Sequence, residues 1–118
     1  MGAARDACAL ALRNLAFSAD GRAALLAKPH ALPALLRALD PADLRLAARA
    51  AAALWALLAK CERAKGAMRL PAHLGQLRAA EAALATRAMV ATPLITGEQA
   101  LLAECLHAMG ALMTILGM

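Results

Sequence analysis

Apolar residues recur along the chain with a helical period, and Pro, Gly and Asp interrupt that period. The first segment, Ala3 to Phe17, places Ala7, Leu10, Ala11 and Leu15 on one face, as an amphipathic helix does. The same pattern predicts further helices from Asp20 to Ala27, Pro29 to Leu39, Pro41 to Lys60, Glu62 to Arg69, Ala72 to Val90, and a final Leu-rich helix to Leu116. The expected fold is therefore all-α.

Polar residues at the breaks predict where these helices begin. We expect Asp20 to cap the second helix. We expect Asp40 to cap the long helix, with Pro41 at its first position and Asp43 adding negative charge near the positive end of the dipole. Thr92-Pro93 marks a turn, and Thr96-Gly97-Glu98-Gln99 reads as a capping box for the final helix.

The long helix from Pro41 to Lys60 carries two distinct faces. Its predicted outer face consists of Arg45, Arg49, Ala52, Ala56 and Lys60. Its predicted buried face includes Ala47 and Ala51, and we expect Trp55 to be a buried anchor there; the alternative is a hot spot for a partner. The structural core is predicted to contain Leu12, Leu15, Leu54, Trp55 and Leu58.

The chain nearly repeats itself at an offset of 42 residues. The positions Leu12, Leu15, Pro29, Leu32 and Leu35 recur as Leu54, Leu57, Pro71, Leu74 and Leu77. Periods of about 40–47 residues are typical of solenoids built from two- or three-helix repeats, which bury their apolar faces by stacking. We therefore predict a single helical-repeat domain over 1–118, with about two and a half repeats, and expect it to be part of a longer protein.

Composition supports helices and argues against strands. The chain has one Trp, one Phe and no Tyr, and its 63% hydrophobic content is largely Ala and Leu. Ala, Leu, Arg and Met favour helices.

Two motifs resemble a known family. The segment Ala11-Leu12-Arg13-Asn14-Leu15 matches the "A-L-x-N-L" segment common in the third helix of armadillo repeats. The order of long, short, medium and long helices is also that of armadillo repeats entered at the third helix. This resemblance implies a right-handed helical solenoid that binds other proteins.

A denser motif is similar to the carboxy-terminal end of the rotatin family, very large armadillo-like proteins of centrioles and ciliary basal bodies. It comprises the run from Ala50 to Leu58, with its Ala-Ala-Leu-Trp-Ala-Leu core, and the stretch from Arg63 to Pro71. The turn Thr92-Pro93-Leu94 and the Leu101–Leu116 helix follow in the family's order. The resemblance implies a scaffold in centriole and cilium assembly, with cytoplasmic and cytoskeletal localisation.

Armadillo proteins that import nuclear cargo use a Trp and an Asn four residues apart on the third helix. Here Leu10 lies four residues before Asn14, and Ala59 lies four residues after Trp55. Because this ladder is absent and the chain is basic, we do not expect an import adaptor.

Positive charge suggests where a partner binds. The net charge is +5, and six basic residues lie between Lys60 and Arg87 against Glu62 and Glu81. Such charge favours anionic partners, and we expect an acidic protein or a tubulin tail. A solvated face is the plainer interpretation, and a binder of nucleic acid or anionic lipid is the alternative function. The candidate partner-binding residues are Asn14, Arg45, Arg49, Lys60, Arg63, Lys65 and Arg69.

No residue pattern indicates catalysis, a metal or a cofactor. His30, His73 and His107 are widely spaced, whereas a zinc site needs three or four convergent ligands. Cys8 and its two counterparts, Cys61 and Cys105, lack a Cys-x-x-Cys spacing, so we expect three reduced, buried thiols. We expect a non-enzymatic protein without cofactors.

No membrane span is predicted. The longest uncharged run, Cys105 to Met118, is shorter than the ~20 apolar residues of a membrane span.

The first helix is predicted to mediate self-association. It is apolar in the manner of an internal repeat, so we expect chains to associate through Ala3–Phe17.

Overall fold

The computed structural model describes residues 11, 14, 17–28, 30–89 and 96–117. Within these ranges the chain forms six α-helices and no strand, which confirms the all-α prediction. The helices are α1 (Ala19–Ala27), α2 (Ala31–Arg37), α3 (Leu44–Lys60), α4 (Glu62–Met68), α5 (Pro71–Met89) and α6 (Thr96–Leu116). The predicted core residues Leu12 and Leu15, the thiol of Cys8, most of the predicted helix Ala3–Phe17 and the Thr92-Pro93 turn lie outside the described residues.

Two of the predicted helix caps were wrong. Helix α1 is capped by Ser18, whose Oγ accepts a hydrogen bond of 2.9 Å from the N–H of Gly21. Asp20 instead lies in the first turn, where its charge complements the helix dipole. The N–H groups in the first turn of a helix have no partner within the helix, and the Ser18 hydroxyl accepts from one of them, three residues later. Ser18 therefore acts as the N-cap, and Asp20 is not needed in that role.

The long helix α3 also begins later than predicted. Asp43, rather than Asp40, is its cap, and its Oδ1 accepts from the N–H of Leu46 at 3.2 Å. The carboxylate of Asp40 accepts from the N–H of Ala42 at 2.9 Å, so it closes a turn before the helix.

The core is built around α3, which makes its most extensive contact with α6. The side of α3 with Ala47, Ala51, Leu54 and Leu58 is almost completely buried. Small alanines let two helices approach closely, while the leucines supply most of the apolar area. The predicted core positions Leu54 and Leu58 are therefore confirmed.

Trp55 is not a core residue, contrary to the prediction. Its side chain is 36% exposed. It lies about 100° around the helix from Leu54, at the margin of the buried side, so its indole lies over the rim between α3 and α6. There it contacts the ring of His107, with centroids 5.5 Å apart and an interplanar angle of 72°.

Helices α2 and α5 pack against each other and add to the same core. Leu35 on α2 and Leu77 on α5 are both buried, and these two residues are separated by the 42-residue offset. The partly buried His73 joins α5 to the end of α4, with its Nδ1 2.8 Å from the carbonyl oxygen of Ala67.

Candidate interaction surface

Four basic residues lie between the end of α3 and the end of α4. Lys60, Arg63 and Arg69 are exposed, and Lys65 is half-buried. Helix α4 turns its apolar side, with the buried Ala64 and Met68, towards the core, which leaves the charged side chains at the surface. We call the set Lys60, Arg63, Lys65 and Arg69 the α4 basic surface.

One carboxylate lies within the α4 basic surface. Glu62 forms an ion pair with Lys65, whose Nζ lies 2.9 Å from Oε1. The hydrogen bond from Lys65 lowers the pKa of Glu62, and the charges of Lys65 and Arg69 lower it further. Because Glu62 offsets a single positive charge, the surface keeps a positive excess.

Arg45 and Arg49 lie apart from the α4 basic surface. Arg45 is exposed and Arg49 half-buried at the start of α3, and both residues already interact with other groups. Arg45 and Lys60 are fifteen residues apart on one helix, about 22 Å along its axis. The predicted basic partner-binding residues therefore form two groups, one at the start of α3 and one from its end onwards.

Asn14 is exposed, and its carbonyl accepts from the N–H of Phe17 at 3.2 Å. Its neighbours in the predicted motif lie outside the described residues.

The pair of Trp55 and His107 was not predicted as a surface feature. Each residue lies at the edge of the buried side of its helix, and the edge-to-face arrangement covers part of the indole. Helical periodicity could have placed Trp55 at that margin, whereas the contact with His107 depends on how α3 and α6 cross.

No protein-family model, curated protein or solved structure matches the chain. The armadillo and rotatin resemblance therefore stays a prediction that rests on the quoted motifs.

The thiols differ in their surroundings. Cys61 is half-buried, and Cys105 is buried; both are free. Burial raises the pKa of the Cys105 thiol to about 11, and the nearby charge of Glu104 acts in the same direction. The Sγ of Cys105 lies 3.7 Å from the carbonyl oxygen of Leu44, so it also joins α6 to the start of α3. In the described part of the chain, no three His, Cys, Asp or Glu residues lie close enough to hold a metal.

Helix α6 is unusually apolar. Its segment Gln99–Leu116 has a mean hydropathy of 1.4 and is long enough to cross a membrane, and 33% of it is buried in the fold. Length and composition do not distinguish a spanning helix from a core helix. The expectation of no membrane span stays a prediction.

Proposed function

We propose that this chain is a protein-interaction module built as an armadillo-like, right-handed solenoid of about two and a half repeats. The proposal is supported by the packing of α2 on α5 and of α3 on α6, because each pair joins helices at corresponding places in the predicted cycle. It is also supported by the burial of Leu35 and Leu77 at corresponding repeat positions.

The α4 basic surface carries the binding part of the proposal. Three of its four cations are exposed, with Lys60 at the end of α3, Arg63 on α4 and Arg69 directly after α4. The other side of α4 packs on the core. Clustered positive charge raises the association rate with anionic partners and favours complementary surfaces. The partner is an acidic protein segment, such as a tubulin tail.

The wider role follows from the rotatin resemblance. On that basis the module acts in a non-enzymatic scaffold of the centriole and ciliary basal body, in the cytoplasm and at the cytoskeleton. A fluorescently tagged chain in ciliated cells tests this role. Enrichment at basal bodies supports it, and a diffuse signal that never coincides with a basal-body marker contradicts it.

Binding of nucleic acid or anionic lipid is the second candidate, because the same cations would attract phosphates. The dependence of binding on salt concentration distinguishes the two candidate functions. Phosphate-dominated binding to nucleic acid loses orders of magnitude in affinity as salt rises several-fold, whereas a partner held also by apolar contacts stays bound. Proteins that bind single-stranded nucleic acid usually also stack its bases on aromatic side chains. This sequence has one Phe, one Trp and no Tyr, which disfavours that partner.

Co-purification with matched variants tests the proposal. The double variant Arg63→Glu with Arg69→Glu reverses the α4 basic surface, and Arg78→Glu, at an exposed position on α5, makes the same chemical change elsewhere. We expect a specific protein to co-purify with the parent and with Arg78→Glu, to survive added salt, and to be lost from the double variant. Recovery of nucleic acid alone, with steep salt dependence, would contradict the proposal.

A further inference from the structure

An apolar pocket opens between α1, α2 and the corner of α4 and α5. Its volume is about 130 Å³. Leu25, Leu32 and Leu57 line its interior and are themselves buried, while Ala67 and His73 lie at its half-buried rim. A dry, leucine-lined cavity of about 150 Å³ accommodates a molecule the size of benzene. This pocket therefore matches one aliphatic side chain.

The rim of the pocket is held in place by His73. Its Nδ1 lies 2.8 Å from the carbonyl oxygen of Ala67. Because a carbonyl can only accept, Nδ1 must carry the hydrogen, and this bond fixes the imidazole beside the opening. The imidazole is thus already ordered, which reduces the conformational entropy lost when a side chain binds beside it.

Positive charge lies at and near the opening. Lys28 lines the pocket and is exposed. Arg63 lies four residues before Ala67 on α4, so the two share one face of that helix. The α4 basic surface therefore comes within one helical turn of the pocket's lining, and none of the described lining residues is acidic.

We propose that this pocket binds a single aliphatic side chain from an acidic partner segment, whose flanking carboxylates meet Lys28 on one side and Arg63 on the other. The inference rests on the proposed function and adds to it a specific anchor. Charge complementarity selects the acidic segment, and the pocket selects the apolar residue within it. Water in an apolar pocket makes few hydrogen bonds, so an aliphatic group that displaces it gains affinity.

Two synthetic peptides test the proposal against the 118-residue chain. Each carries three Glu residues on both sides of a central residue, which is Leu in one peptide and Ala in the other. We expect the Leu peptide to bind roughly 50-fold more tightly, because three additional carbons leave water. In methyl NMR spectra the Leu peptide should also shift Leu25, Leu32 and Leu57, whereas the Ala peptide should not.

A variant whose pocket is filled by a larger side chain provides the matched comparison with the parent chain. Ala67→Leu adds the same three carbons to the rim and should abolish the preference for Leu while both peptides still bind. Ala79→Leu, at an exposed position on α5, should retain the preference. The methyl shifts in the parent keep the test decisive even if Ala67→Leu unfolds.

Several results would overturn the inference. Equal affinity of the two peptides for the parent, without methyl shifts in the pocket, refutes the anchor and leaves the proposed function intact. Binding of neither peptide at low salt refutes both. A dimer that Ala67→Leu dissociates, or a pocket that shifts only with anionic vesicles, would identify a different occupant and contradict the acidic segment.

Discussion

Removing the Cys105 thiol should change the pH dependence of folding. The thiol has a pKa of about 11 in the folded chain, compared with an ordinary value of 9.0. Because folding raises this pKa, the stabilisation is fully present below pH 9 and is lost as the pH rises through 11. The loss amounts to about 1.4 kcal/mol at pH 10 and about 2 kcal/mol at pH 11, since one pKa unit corresponds to 1.36 kcal/mol.

The variant Cys105→Ala exposes this effect. At pH 8 we expect it to be less stable than the parent by about 1–2 kcal/mol, because a buried sulfur leaves a small cavity. That difference should shrink through pH 10 and approach zero or reverse near pH 11. The assay is urea unfolding under reducing conditions, followed by circular dichroism at several pH values.

Leu112→Ala is the matched control for this series. Leu112 is buried on the same helix and carries no ionisable group, so its deficit relative to the parent should be the same at every pH. If the deficit of Cys105→Ala is equally constant from pH 8 to pH 11, the thiol is not desolvated and the packing of α6 on α3 is wrong.

Three further predictions concern packing and self-association. Leu35→Ala and Leu77→Ala should each destabilise the chain by about 2–5 kcal/mol and by similar amounts in urea unfolding; a negligible cost at one site would break their equivalence. Trp55→Ala should cost about 2–3 kcal/mol, below the cost of a fully buried Trp, because the indole is 36% exposed; an unchanged midpoint would show that its contact with the rim is negligible. Leu10→Glu should reduce self-association through Ala3–Phe17 in light scattering. A parent that stays monomeric at high concentration would refute that prediction.

Helical periodicity predicted the main features of the fold because each helix buries a defined side. Leu54 and Leu58 repeat at i and i+4 and are buried as expected. The helix starts were less predictable, since Ser18 and Asp20, and likewise Asp40 and Asp43, lie close enough to compete for one cap. The residue whose side-chain oxygen can reach the N–H groups of the first turn becomes the cap. The sequence alone does not show which of two neighbouring residues that is.

The position of Trp55 shows what helical periodicity cannot predict. Periodicity assigns a residue to one side of a helix, but the width of the buried side depends on how the neighbouring helix crosses. Trp55 lies at that margin and contacts His107, which is distant in sequence.

The sequence predicted only part of the candidate site, because the rest depends on how the helices pack together. The α4 basic surface is local in sequence and could be recognised from Lys60, Arg63, Lys65 and Arg69. The pocket joins residues as distant as Leu25 and His73, and its volume depends on packing that no local pattern encodes.

Binding to an acidic polypeptide, mapped residue by residue, tests the central claim most directly. The measurement is an NMR titration of the chain's backbone amides with poly-glutamate, repeated with Arg63→Glu and Arg69→Glu combined. We expect shifts concentrated at Lys60, Arg63, Lys65 and Arg69 and largely lost in the double variant. Shifts concentrated instead at the start of α3, or unchanged by the double variant, would contradict it.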